Sequence, residues 1–197
     1  MKIQVFLKKI RSEISKISQL NIEGVSIMQH NFQPVNLDNI ISEESRFGED
    51  KWALLTAGKD GKVNTMTISW GGVGFIWNKH VVFIFVRSSR YTKEFIDASD
   101  EFSISFMDIS KYRGAMKYLG AVSGRDEDKL AGARLNVDFD ENIPYIDEAK
   151  NVVLCQVLAK QEIEKGGIIP QEIIDKYYAD GDYHTVYIAE IKKIMVR

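Results

Sequence analysis

A single cysteine, three prolines and no long apolar run set the first limits on this 197-residue chain. Cys155 has no second thiol to pair with, so no internal disulfide can staple the fold. Its place in Asn151-Val152-Val153-Leu154-Cys155-Gln156-Val157-Leu158 marks it as a small core residue, with no adjacent positive charge to lower its pKa. A reducing, cytoplasmic setting is therefore expected. No window approaches the roughly 20 apolar residues that span a bilayer, and a soluble protein is expected. The net charge of -2 gives no footprint of nucleic-acid binding, so any basic cluster must be local and serve a small anion. The chain also lacks paired-cysteine metal spacing, H-E-x-x-H, G-x-x-x-x-G-K-[ST], G-x-G-x-x-G and G-x-S-x-G. Gly71-Gly72-Val73-Gly74 reads as a flexible turn rather than a dinucleotide fingerprint.

What is present suits one compact domain: 45% of residues are hydrophobic and 27% charged, enough for a proper core. Residues 1–27 stand apart. Lys2, Lys8, Lys9, Arg11 and Lys16 against Glu13 and Glu23 give this segment +3 and leave -5 for residues 28–197. Ile3, Leu7, Ile10, Ile14 and Ile17 fall on one helical stripe, so the segment is either an amphipathic helix or an upstream extension preceding a natural start at Met28. In the remainder, Asp60-Gly61 between two apolar runs signals a hairpin. Val81 to Val86 reads as a strand buried on both faces, preceded by a turn at Asn78-Lys79. Strands are also expected at Glu101–Met107, Val152–Gln161 and His184–Val196. Short helices are expected at Ser89–Ala98, Lys111–Leu119, Asp126–Ala133 and Pro170–Tyr178. Many strands and few, short helices favour a closed antiparallel barrel over a parallel doubly wound sheet.

Two segments carry candidate chemistry. In Val63 to Trp70, alternation puts Val63, Thr65, Thr67 and Ser69 on one face and Asn64, Met66, Ile68 and Trp70 on the other. The hydroxyl row can bind a polar ligand, although threonine also favours strands for its own sake. In Arg87-Ser88-Ser89-Arg90-Tyr91-Thr92-Lys93 a strand passes into a helix with Ser88 or Ser89 as N-cap. Free N–H groups and forked arginine donors there suit phosphate, and an ordinary capped helix with solvated charges is the alternative. Further on, the small-residue loop from Gly120 feeds a helix capped by Ser123 and forms a second candidate rim reaching Lys129. His184 opens the last strand, where an imidazole can donate to a ligand. His30 and His80 have less support. A phosphate site without catalytic side-chain motifs points to a phosphorylated cofactor that brings its own chemistry.

At these residues the chain resembles the flavin reductase-like, FMN-binding split-barrel family, especially its flavoredoxin-type branch. The match runs through Asn64-Thr65-Met66-Thr67-Ile68-Ser69-Trp70-Gly71-Gly72, Arg87 to Ile96, Ser123-Gly124-Arg125-Asp126-Glu127-Asp128-Lys129 and Gly181 to Ile191. It covers about residues 30–197 in the family's order and leaves residues 1–27 outside. Ser88 stands where many relatives have proline, and Ala189 where glycine is usual. The resemblance implies a mainly β, Greek-key split barrel with a few peripheral helices, which dimerises and holds FMN near the dimer interface. Thr65, Met66, Thr67, Ser69 and Trp70 would contact the flavin body. Ser89, Arg90, Tyr91, Thr92 and Lys93 would hold its phosphate region, and Arg87 is a further cofactor-binding candidate. Ser123, Lys129 and His184 would line the flavin or nicotinamide side. The implied activity is hydride transfer from NAD(P)H to FMN with electrons passed to a further acceptor, no side chain serving as nucleophile. The alternative is a non-enzymatic FMN-binding carrier reduced by a protein partner.

Overall fold

The computed structural model describes residues 33–34, 47–48, 51–164 and 167–197. The stripe of residues 1–27, the boundary at residue 28 and His30 lie outside the described residues. A short strand β1 (Gln33–Pro34) precedes the hairpin that Asp60-Gly61 signals. There β2 (Ala53–Lys59) and β3 (Lys62–Ile68) pair antiparallel from Ala53↔Ile68 to Lys59↔Lys62. Asp60 and Gly61 have φ of 51° and 72°, the two positive values a type I′ turn needs.

Gly71 to Gly74 is not a turn. It opens strand β4 (Gly71–Ile76), which pairs with β5 (Lys79–Arg87). Glycine weakens a strand unless another group must come close, and here one does. A Cβ on Gly71 would lie 2.6 Å from the Phe83 carbonyl oxygen, and one on Gly74 2.6 Å from the Phe83 ring. The connecting turn is Trp77-Asn78, one residue earlier than the sequence suggests, with φ of 52° and 56°. Strand β5 is buried on both faces only in part: Val82, Ile84 and Val86 face the interior, while on the other side Val81 is buried and Phe83 and Phe85 are half-buried.

The chain continues through α1 (Tyr91–Ser99), β6 (Glu101–Phe106), α2 (Ile109–Ala121) and α3 (Lys129–Ala133). It then runs through β7 (Val137–Asp140), β8 (Ile143–Ile146), β9 (Asn151–Glu162), α4 (Gln171–Tyr177) and β10 (His184–Val196). Hairpin β7–β8 escapes the sequence pattern because four-residue strands carry too little alternation to read. The main strands follow the order β3-β2-β6-β9-β10-β5-β4, with β1 beside β10, and every pairing is antiparallel. This path does not close on itself. Strands β3 and β4 end its two sides, yet only Ser69 and Trp70 separate them in sequence. Three Cα steps reach at most about 11 Å, so the sheet must roll until its edges nearly meet. The result is a mainly β, Greek-key split barrel rather than a closed one.

The interior holds Leu55, Met66, Ile84, Phe102, Ile104 and Tyr187, with Phe95 and Ile96 of α1 packed among them. Cys155 is fully buried there, and burial pushes its thiol pKa up, as expected of a core residue. A second core lies where α2 and β8 cover the outside of the sheet, built from Leu54, Met116, Leu119, Ile146 and Val152. Among the described residues no helix is long and apolar enough to cross a membrane.

Candidate functional site

Where β3 ends, before the chain enters β4, it borders a cleft of about 270 Å³. One wall is Met66 to Trp70, the end of β3 and the link that follows it. Facing it are Phe85 and Arg87 of β5, His184 of β10 and Tyr177 of α4, with Arg90 also on the lining. The register of β5 against β10 pairs His184 with Arg87, which sets the imidazole beside the guanidinium. Trp70, 43% exposed, stands at the mouth. Its ring lies 5.3 Å from Tyr177, edge-on, and 5.1 Å from His184.

His184 is buried, with Nδ1 3.0 Å from the Tyr178 hydroxyl oxygen. Burial and then the charge of Arg87 push its pKa down to about 4, so the ring is neutral at pH 7. Its Nε2 has no hydrogen-bond partner among the described residues and is left for a ligand.

The cations gather around one helix end. Arg90 donates to the Gly120 carbonyl at 2.9 Å, and Lys129 donates to the Leu119 and Val122 carbonyls at 3.1 and 3.2 Å. These are the last carbonyls of α2 and its cap, the negative end of the helix dipole. Lys129 is buried and has no carboxylate partner among the described residues. Burial, then the charge of Arg90, lowers its pKa to about 8. Burial also lowers the pKa of Arg90, although Asp182 opposes the shift. Arg87 anchors a different segment: it donates to the Tyr177 carbonyl at 2.8 Å and the Asp182 carbonyl at 3.1 Å.

The start of α1 differs from the expected serine cap. Arg90 is the N-cap and no side chain caps the helix. Ser89 turns instead to Asp182, giving its N–H at 3.0 Å and its hydroxyl at 2.7 Å to the carboxylate. The N–H groups of Tyr91 and Thr92 have no acceptor among the described residues. Ser123 likewise is not the cap of α3; Asp128 is, accepting from the Ala131 N–H at 3.1 Å, while Ser123 accepts from the Arg125 N–H.

The cleft therefore brings together Met66, Thr67, Ser69, Trp70, Arg87, Arg90 and His184 of the sequence-marked residues. The others point elsewhere. Thr65 is interior and donates to the Leu55 carbonyl while accepting from Thr56. Thr67, although on the lining, donates to the Met116 carbonyl at 2.5 Å. Thr92 is buried and accepts from Asn64, and Lys93 is paired with Asp97 at 2.7 Å. Tyr91 and Lys129 line a separate hollow of about 520 Å³, where the Arg125 guanidinium lies 4.7 Å from the Tyr91 ring centre. Sequence reasoning passed over Tyr177, Tyr178 and Asp182. The available signal was Gly181, whose φ of 76° turns the chain so that Asp182 returns to β5 just ahead of His184.

Residues 49–197 match the model of the flavin reductase-like domain. The chain belongs to this family. Its fold is similar to an FMN-binding domain of a flavin reductases-like enzyme from Shewanella baltica OS155, with TM-score 0.61 and 16% identity, covering 84% of this chain and 77% of that one. Flavoredoxin from Methanosarcina acetivorans gives 0.58 at 21% identity, over 84% and 76% of the two chains. The styrene monooxygenase flavin reductase from Pseudomonas putida S12 gives 0.55 at 16%, over 75% and 79%. A comparison with curated proteins gives no match.

Proposed function

We propose that this member of the flavin reductase-like family binds FMN in the β3–β4 cleft and is an NAD(P)H-dependent flavin oxidoreductase that passes electrons to a further acceptor. The observation that carries this reading is the composition of the cleft. Arg87 and Arg90, an aromatic ring at the mouth and a neutral imidazole with one nitrogen still open share one lining, and the Asp180 and Asp182 carboxylates, each 3.6 Å from Arg87, lie outside it. The donors fit an aromatic ligand that bears a phosphate: guanidinium groups supply charge-assisted bonds to phosphate oxygens, and Trp70 offers a face to a planar ring. Arg90 and the free N–H groups of Tyr91 and Thr92 would hold the phosphate, while Ser69, Trp70 and His184 would meet the ring system. When bound, FMN supplies the capacity to accept a hydride and release electrons singly or in pairs. The side chains orient the two ring systems and exclude water, and His184 offers a neutral N–H without exchanging its charge near pH 7.

A volume of about 270 Å³ is at the lower end for a cofactor site. Trp70 at its mouth is exposed, as are Val73 and Phe75 farther along edge strand β4. A second copy of the chain completing the site accounts for both, and the homodimer is part of the proposal. The buried thiol of Cys155 suits a cytoplasmic setting.

The test is the visible spectrum of the purified protein with FMN, before and after anaerobic NADH or NADPH. A flavin spectrum that bleaches on adding a nicotinamide supports the enzyme. Bound flavin inert to both nucleotides but reduced by a protein donor makes it an electron carrier, and no flavin binding removes both readings.

A further inference from the structure

The most unusual partner in the site is a carboxylate. Asp182 accepts both donors of Ser89, the N–H and the hydroxyl, at the point where β5 passes into α1. One of its oxygens lies 3.6 Å from the Arg87 guanidinium, and its charge also reaches Arg90. A negative group thus already sits on donors of the kind a phosphate recruits, beside both arginines of the cleft. Burial alone would raise the pKa of Asp182, but hydrogen bonds from Ser89 and the charge of Arg87 outweigh it and hold the carboxyl below its ordinary range. The carboxylate is therefore ionised throughout the neutral range.

The segment of Asp182 is also held by contacts that do not use its carboxylate. The Arg87 side chain binds the carbonyls of Tyr177 and Asp182, and the Ser88 N–H binds the carbonyl of Tyr183 at 3.1 Å. These contacts hold the stretch from Tyr177 to Tyr183 by its backbone carbonyls. The carboxylate adds its charge to the two hydrogen bonds it accepts from Ser89.

We propose that Asp182 is a resident counter-anion of the cleft, one that a phosphorylated ligand must face or displace, and that it sets how strongly the site distinguishes FMN from unphosphorylated riboflavin. The proposal rests on the FMN reading above. The two ligands share a ring system and differ in the phosphate, so a charge acting on the phosphate moves one affinity and leaves the other. A carboxylate close to a phosphate is a like-charge pair that weakens binding in the partly desolvated rim.

The experiment titrates the full-length protein with FMN and with riboflavin, at one fixed ionic strength, as wild type, Asp182→Asn, Asp182→Ser and Asp182→Glu. Both neutral variants should bind FMN about tenfold more tightly, with riboflavin affinity unmoved and Asp182→Glu close to wild type. Unmoved riboflavin affinity also reports that the fold is intact. FMN affinity that is unchanged or weaker in both neutral variants overturns the proposal, as does an equal shift for the two ligands. If the wild type binds neither flavin, the FMN reading itself fails. If it binds FMN and neutralisation changes nothing, only the role of Asp182 fails.

Discussion

The starts of α1 and α3 share serine and arginine ahead of the helix and a lysine in its first turn, but only α3 is preceded by carboxylates, Asp126, Glu127 and Asp128, and the structure satisfies the two differently. At α3 the Asp128 carboxylate caps its own helix and accepts from Ala131. At α1 the N-cap is Arg90, no side chain caps the helix, and the N–H groups of Tyr91 and Thr92 remain open. A helix start that supplies its own anion has no further use for one. A start whose cap is a cation keeps its donors for a ligand, so serine and arginine content alone did not distinguish the two.

Arg90→Ala attacks this contrast most directly. It removes a guanidinium from the cleft and should weaken FMN binding by about 1.5 to 3 kcal/mol, measured by flavin titration; unchanged affinity would place the phosphate elsewhere. Lys129 sharpens the electrostatic side. Its pKa falls from 10.5 to about 8 on folding, so between these values the unfolded chain holds more protons and stability rises with pH. Below pH 8 both states are protonated and the full burial cost remains. Lys129→Met should abolish that rise, which is on the order of 2 kcal/mol, in denaturation curves recorded across the window. Asp128→Ala should have the smallest effect. Loss of the α3 cap costs about 1 kcal/mol of stability, and FMN affinity stays as in wild type if α3 is outside the phosphate site.

Much of the fold was legible because its signals were local. Asp60-Gly61 demanded a tight turn, and the long alternating run from His184 had to be a strand. The misreadings came where a distant partner decided. Gly71 to Gly74 read as a turn because nothing nearby in sequence announced that Phe83 would press against the chain at both glycines. The hydroxyl of Thr65 read as ligand-facing because the alternation could not show that Thr56 of the neighbouring strand would claim it. In the site, Arg87, Arg90, Trp70 and His184 were marked by their chemistry. Asp182 was missed because a carboxylate argues against an anion site until its place opposite Ser89 is seen.

The two-residue link from Ile68 to Gly71 has a mechanical consequence. Strands β3 and β4 are joined by only two residues, so their linked ends cannot part by more than about 11 Å. Across the cleft, Tyr177 ends helix α4, and its carbonyl is held by the Arg87 guanidinium. The seam is thus secured on both lips, covalently on one and on the other by an Arg87 guanidinium that also lines the cleft.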